Sequence, residues 1–530
     1  MLLQAVLLLA LGLALAPAPA RQASVPVQPD NASAQASDAP LYPGLLHKRI
    51  RLRHIPPPPP AGLRSNLHQV ETLWFNEQVV DHFNPIDKRV WKQRYFARTD
   101  LYEEGGPAFI YIGGEGQEDP SSLADGFTFM AYLAGIYKAK LFDLEHRYYG
   151  PSHPTPTLSS ADLKYLSADQ ALADLAYFIE YLIKKGDLKE GQKVMVFGGS
   201  YPGNLAAWAR LKYPHLIHAA VSSSAPVHAK ADFIEYMEVV SRSLARVAGQ
   251  WCDDNLKLAT DRVAQLLKTT DGYAQVKKTF QVANELRNTL DIDNFFQTLS
   301  IPFAGAVQYN RDSVPGPQYS IKNMCSFMQG DNLTPDEAME KLSTLVLGEN
   351  KGTSTLFDFS YQQTVNAYKK EEYQENNGYY DNMRQWMYQT CTEFGYYQTY
   401  SGKDVPFPAQ YNTVDFSYQM CKDLFGDAYD ETVVAAAVER SNLVFGDRTP
   451  DVTNVIFVNG NIDPWHALGI LSNVSDQAPA ILVDGGSHCA DMNAPNPEYD
   501  TSDITSAHQK IHEFIRKALY EEPNGDPADF

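Results

Sequence analysis

A serine hydroxyl attacks a carbonyl only when a base stands ready to take its proton and the chain presents it on a sharp turn. The segment VMVFGGSYPGNLAAW offers such a serine at Ser200. Gly198 and Gly199 precede it and are small enough for a strained strand-to-helix turn. The spacing G-x-S-x-G would put glycine at position 202, but this chain has Pro202 and then Gly203. Proline suits the first turn of a following helix, where its absent N–H would have no partner anyway. Taken alone, Gly-Gly-Ser also reads as a plain turn.

The nucleophile reading demands a histidine oriented by a carboxylate. In one strand–helix architecture the three follow in the order Ser, Asp or Glu, His, the last two on loops after late strands. The run VIFVNG leads to Asp463 in NGNIDPW, and AILVDGG leads to His488 in GGSHCAD. Separately, Asp463 could open an Asp-Pro turn and His488 could be a loop histidine beside Cys489. Their joint order favours the triad. Of the thirteen histidines, His466 shares the Asp463 loop and reads as a neighbour. His146 precedes the serine and suits a structural hydrogen bond, while His508 and His512 read as surface residues of a terminal helix. The tetrahedral oxyanion needs two N–H donors. Tyr201, next to the nucleophile, supplies one, and the loop Ile112-Gly113-Gly114-Glu115-Gly116, centred on Gly114, is the candidate for the other. That loop is not a phosphate cradle, since no Lys-Ser/Thr follows it. With no H-E-x-x-H and no paired C-x-x-C, neither metal nor cofactor is expected. Cys489 lacks a helix start to lower its pKa and is a poor rival nucleophile.

Short apolar strands alternating with helices from about residue 66 must position these groups. PAFIYIGGEG, KLFDLEHRYYG, KVMVFGG and HAAVSSSAPV read as strands. SADQALADLAYFIEYLIKKG reads as an amphipathic helix with a Ser167/Gln170 capping box and Gly186 as stop. The alternation predicts an α/β fold with a mostly parallel sheet covered on both faces. Residues 66–230 and 431–520 form its two parts. Residues 231–430 lose the alternation and read as a large helical cap insertion, which holds four of the five cysteines.

The chain has 530 residues, with 44 Lys and Arg against 64 Asp and Glu and a net charge of −20. Such a balance repels phosphate backbones and argues against nucleic acid as a partner. Residues 2–16 form an apolar run of signal-peptide length, and Ala18-Pro19-Ala20 offers a cleavage site, so residues 1–20 are expected to be a removed signal. Residues 21–65, ending in the prolines 56–60, read as propeptide or disordered linker, and 521–530 as a tail. A secreted or lysosomal protein with no membrane attachment after signal cleavage follows. Asn31, Asn332 and Asn473 begin N-glycosylation sequons, Asn473 being the best placed because Pro335 follows the second. The five cysteines leave at least one unpaired, and spacing alone does not fix their connectivity. Oligomeric state is equally open, a homodimer included.

The motifs FNEQVVDHFN, EHRYYGPSHP, GGSYPGNLAAWARLKYP, SSSAPV, RQWMYQTCTEFGYYQT, NGNIDPW and GGSHCADM, in that order, resemble the S28 family of serine peptidases over residues 75–515. GGSYPGNLAAWARLKYPHL, VVSRSL and IDPWHALG look most like its thymus-specific branch. The resemblance implies an α/β-hydrolase domain interrupted by a helical cap, with Ser200 as nucleophile, Asp463 as acid and His488 as base. It implies the disulfides Cys252–Cys325 and Cys391–Cys421, with Cys489 left free. The expected function is serine exopeptidase action on peptide substrates through an acyl-enzyme, with a preference for proline-containing peptides. After DPW the family has a Gly-rich run where this chain has His466-Ala467-Leu468-Gly469, which bears on that preference. The competing expectations are an esterase or lipase on the same scaffold and a non-catalytic secreted binding protein.

Overall fold

The computed structural model describes residues 67–521, apart from 287, 312–319 and 377–378. The signal-like run, the linker to residue 65, Asn31 and the tail lie outside the described residues. Eight strands form the central sheet: β1 (Glu71–Val79), β2 (Val90–Arg98), β3 (Ala108–Ile112), β4 (Lys140–Leu144), β5 (Val194–Gly199), β6 (Ala219–Ser223), β7 (Val455–Gly460) and β8 (Ala480–Val483). Their spatial order is β1-β2-β4-β3-β5-β6-β7-β8. The β1–β2 and β2–β4 pairs are antiparallel and every later pair is parallel.

The parallel strands are apolar without alternation because both faces are covered. On one face Phe109, Leu141, Met195, Phe197, Val221 and Ile456 pack with α1 (Phe129–Tyr137) and the terminal helix Ser502–Tyr520. On the other, Ile110, Phe142, Val196, Ala220 and Phe457 pack with α2 (Ala168–Lys185) and α3 (Tyr201–Lys212). Ser167 caps α2 by accepting from the Gln170 N–H, and Gly186 ends it at φ 87°. The expected capping box is only half formed. The Gln170 side chain turns away to donate to Asp81 and to accept from the His82 N–H.

Between residues 231 and 430 the chain is mainly helical. The elements used below are α4 (Glu235–Ala248), α5 (Gln250–Leu266), α6 (Thr289–Gln308), α7 (Met383–Gln389) and α8 (Val414–Phe425). A π-helical turn, Thr390–Phe394, continues α7 into the strand Gly395–Tyr397. That strand runs parallel to Lys230–Asp232 and ties the helical region to the end of β6. Disulfides join Cys252 of α5 to Cys325, and Cys391 of the π turn to Cys421 of α8. Helix α9 (Glu431–Phe445) returns the chain to the sheet, stacking Phe445 on Trp208 of α3 at 3.9 Å. No described helix is long and apolar enough to cross a membrane.

Candidate active site

Ser200 stands at the junction of β5 and α3 with φ 64° and ψ −133°. A non-glycine residue held in this region stores about 1–3 kcal/mol of strain. Its N–H donates to the Ser223 carbonyl at 2.9 Å, which pins the turn to the end of β6. The surrounding glycines are required by contact. A Cβ at Gly198 would run into the Pro202 carbonyl, and one at Gly203 would lie 2.6 Å from the Ser223 carbonyl oxygen. The crowded position is thus 203, and position 202, in the first turn of α3, tolerates proline.

Asp463 and His488 follow β7 and β8, and both are buried. The Asp463 Oδ2 accepts from His488 Nδ1 at 2.7 Å, while its Oδ1 accepts from the Trp465 N–H at 3.0 Å. With Nδ1 as donor, Nε2 of the neutral ring carries the lone pair. The His488 loop is fastened from two sides. Its N–H donates to the Gln308 carbonyl at the end of α6 (2.8 Å), and the Cys489 N–H donates to Ser224 Oγ (2.9 Å). The loop also abuts the nucleophile turn, since a Cβ at Gly199 would sit 2.8 Å from Cys489 Sγ. Ser200 Oγ makes no hydrogen bond among the described residues, so its bond with His488 is not formed in this substrate-free geometry. His488 also makes a side-chain hydrogen bond with its neighbour Cys489. Burial opposes charge on His488, yet the Asp463 carboxylate and then Cys489 outweigh it, and the net shift is well above the ordinary imidazole value.

The two expected oxyanion donors differ. The Tyr201 N–H, first in α3, has no acceptor among the described residues. The Gly114 N–H faces Glu118 Oε1 at 3.4 Å, a long bond. Gly114 also packs on the ring of Pro202, where a Cβ would collide, so the glycine-rich loop lies directly over the nucleophile turn.

A cavity of about 330 Å³ opens above Ser200, between the carboxyl ends of the central strands and the helical region. Trp465, Tyr309, Tyr396, Trp386 and Met237 line it together with Glu115. The Tyr309 and Trp465 rings also lie 5.9 Å and 6.4 Å from the His488 ring, so Ser200 and His488 flank one space.

Three other histidines weighed in the sequence take up structural positions. His146 is buried, its Nδ1 donating to the Arg147 carbonyl and its Nε2 accepting from the Tyr201 hydroxyl at 3.0 Å. Burial lowers its pKa to about 4. His466 bonds the Asp463 carbonyl through Nδ1. His508, expected on the surface, is instead buried against the Asp491 carbonyl at 2.9 Å, because its helix packs on the sheet through that face. Cys489 is a buried unpaired thiol, and Asn332 and Asn473 are exposed. Sequence reasoning missed Gln308 and Tyr309, which reach the site from the end of α6, and gave Trp386 and Tyr396 no role in the site although both lie in the motif RQWMYQTCTEFGYYQT.

Strand order and a serine on a strained turn after β5 define the α/β-hydrolase class. The comparisons with known proteins narrow this. The family described as Serine carboxypeptidase S28 matches residues 78–511. The thymus-specific serine protease of Mus musculus is 36% identical over 90% of this chain and 94% of its own length. Its counterpart in Homo sapiens is 36% identical over 84% and 86%. The lysosomal Pro-X carboxypeptidase of Bos taurus is 30% identical over 80% and 83%. The chain belongs to the S28 family and is a serine-type exopeptidase, a hydrolase acting on peptides.

Proposed function

We propose that Ser200, His488 and Asp463 are the catalytic residues and that peptide bonds are cleaved through an acyl-enzyme on Ser200. The observation that carries this is the 2.7 Å Asp463–His488 pair packed against the strained Ser200 turn. His488 Nε2 takes the proton as Ser200 Oγ attacks the carbonyl, and Asp463 stabilises the imidazolium. The Tyr201 N–H, at the first position of α3, is the donor assigned to the oxyanion, where the helix start favours negative charge. His488 returns the proton to the leaving amine, and water then repeats the cycle on the acyl-enzyme. A fluorophosphonate probe tests this: wild type is labelled and Ser200→Ala is not. Equal labelling of both would overturn the assignment.

An apolar and aromatic wall of Trp465, Tyr396, Trp386 and Met237 beside Ser200 supports a compact apolar residue such as proline next to the scissile bond. The name of the bovine relative points the same way. The chain enters the secretory path and acts in the lysosome or outside the cell, in keeping with that relative and with the two disulfides. Exposed Asn332 and Asn473 carry glycans in this reading.

A further inference from the structure

A backbone N–H can stabilise an oxyanion only if the residue that bears it is held still, and the Tyr201 side chain is clamped from two directions. Its ring packs on Trp386 and Phe394 of the helical region, with centroids 5.9 Å and 5.5 Å away. Its hydroxyl is buried between His146, which follows β4, and Gln389, the last residue of α7. Each presents Nε2 to it at 3.0 Å.

The protons of this cluster can be placed one by one. The Arg147 carbonyl can only accept, so His146 Nδ1 donates to it at 2.8 Å. Burial keeps the ring neutral, which leaves the lone pair on Nε2. The Tyr201 O–H therefore donates to His146, and its oxygen accepts from the Gln389 amide. That amide has one orientation. Its Oε1 accepts from the Tyr149 hydroxyl at 2.6 Å, and its second N–H reaches Glu393 Oε2 at 3.3 Å. Glu393 is tied to the start of α2 through the Ala168 N–H. Every member is buried. Such a chain is rigid, because any other arrangement strands a donor or an acceptor away from water.

A second tie lies one turn along α3, where Asn204 Nδ2 donates to the Tyr396 hydroxyl at 3.2 Å. Gln389 and Tyr396 flank the π-helical turn Thr390–Phe394. Turns of this kind widen a helix locally and recur at functional sites. Here both flanking side chains grip the first turn of α3, which begins with the oxyanion donor.

We infer that Gln389 is a positioning residue for the oxyanion donor: through the Tyr201 hydroxyl, the helical region sets where the Tyr201 N–H points. This rests on the acyl-enzyme reading above. Removing such a donor outright costs about 10²–10³-fold in kcat, and a displaced one loses part of that. The helical region then takes part in the bond chemistry as well as covering the cavity.

The test uses the full glycosylated protein, a hexapeptide with proline before the scissile bond, and the aldehyde of its acyl product. In the aldehyde adduct Ser200 Oγ bonds to the carbonyl carbon, its proton passes to His488, and the former carbonyl oxygen lies where the oxyanion forms. Gln389→Met keeps the length of the side chain without its N–H, and Tyr201→Phe keeps the ring without its hydroxyl. Each should lower kcat by about 10–100-fold, the cost of a misplaced group, and raise the aldehyde's inhibition constant by the same factor. KM should stay within about twofold, because the ground-state carbonyl gains little from the donor. The double variant should be no worse than the poorer single, since both break one hydrogen bond. Active sites are counted from the end point of fluorophosphonate labelling, so loss of folded protein does not enter these constants. Either variant alone carries the test if the other fails to fold. A fall in kcat without a matching loss of aldehyde affinity, a rise in KM alone, additive losses in the double variant, or wild-type constants in a single would overturn the inference. Absence of labelling in wild type would reject the acyl-enzyme reading itself.

Discussion

At the scale of single residues, the protonation of His488 sets the conditions under which the site works. Burial alone would push its pKa down, but Asp463 at 2.7 Å reverses that, and the net shift is upward from 6.5. Only the neutral ring can accept the Ser200 proton. The rate of kcat/KM should therefore rise with pH through a value above 6.5 and fall away on the acid side. Asp463→Asn removes the main cause of the upward shift. Its acid limb should move to lower pH, with kcat reduced by roughly 10⁴-fold as the imidazole loses its orienting carboxylate. Kinetics across pH 5 to 9 check both parts, and a variant whose limb stays where it was in wild type would contradict the stated cause. Ser200, Asp463 and His488, the residues of the proposed triad, could be singled out in the sequence because each follows an apolar β-rich run.

Elements explain why those three residues meet. The turn bearing Ser200 works because β5, β6 and α3 close on it without a Cβ between them. Gly198→Ala would place a methyl group into the Pro202 carbonyl. The expected cost is about 1–3 kcal/mol of stability, as in other overpacked sites, together with loss of activity as the turn shifts. Gly135 in α1 is the contrast, since a Cβ there meets nothing within 4 Å. Gly135→Ala should stabilise the protein by about 0.5–1 kcal/mol through the unfolded chain's lost freedom, with activity unchanged. Denaturant unfolding of both variants beside wild type measures the pair, and a stability gain at 198 or a loss at 135 would refute the contact argument. The alternating strands and helices were readable from periodicity because the sheet is buried on both faces. The π turn at Thr390–Phe394 was not, since it depends on Gly395 at φ 72° and on Glu393 bonding α2, far back in the chain. The Gln170 side chain left the capping box for the same kind of reason, because Asp81 and His82 offered it partners from a segment far back in the chain.

For the whole molecule, net charge was readable from composition, but the fate of individual acids was not, because burial is decided by tertiary packing. Glu393 is fully buried where the helical region meets α2. Its Oε1 accepts from the Ala168 N–H at 2.8 Å, and Ser441 Oγ donates to its carbonyl at 2.7 Å. Burial raises its pKa from 4.5 to about 8. A carboxyl raised on folding binds its proton more tightly in the native state, so its contribution is fully present below 4.5 and is lost as pH climbs through about 8. Asp491 and Asp293, each raised to about 6, act in the same direction but over a lower window. His146, lowered to about 4, acts in the opposite direction, between 4 and 6.5. Above pH 6.5 these three are spent, and Glu393 acts in the same sense as His488 and Asp143, both raised well above their ordinary values. Stability should therefore fall by about 2 kcal/mol between pH 6.5 and 8 on account of Glu393 alone, at about 1.4 kcal/mol per pH unit. Glu393→Gln stays neutral throughout and should flatten that slope by the same amount, whether or not its absolute stability changes. Urea unfolding at the two pH values, for wild type and variant, reads the difference directly, and an unchanged slope in Glu393→Gln would reject the assignment. The whole chain is then pulled two ways by its own buried acids and bases. The fold holds best in mild acid, while the neutral His488 that the chemistry requires is populated only as that extra stability is given up.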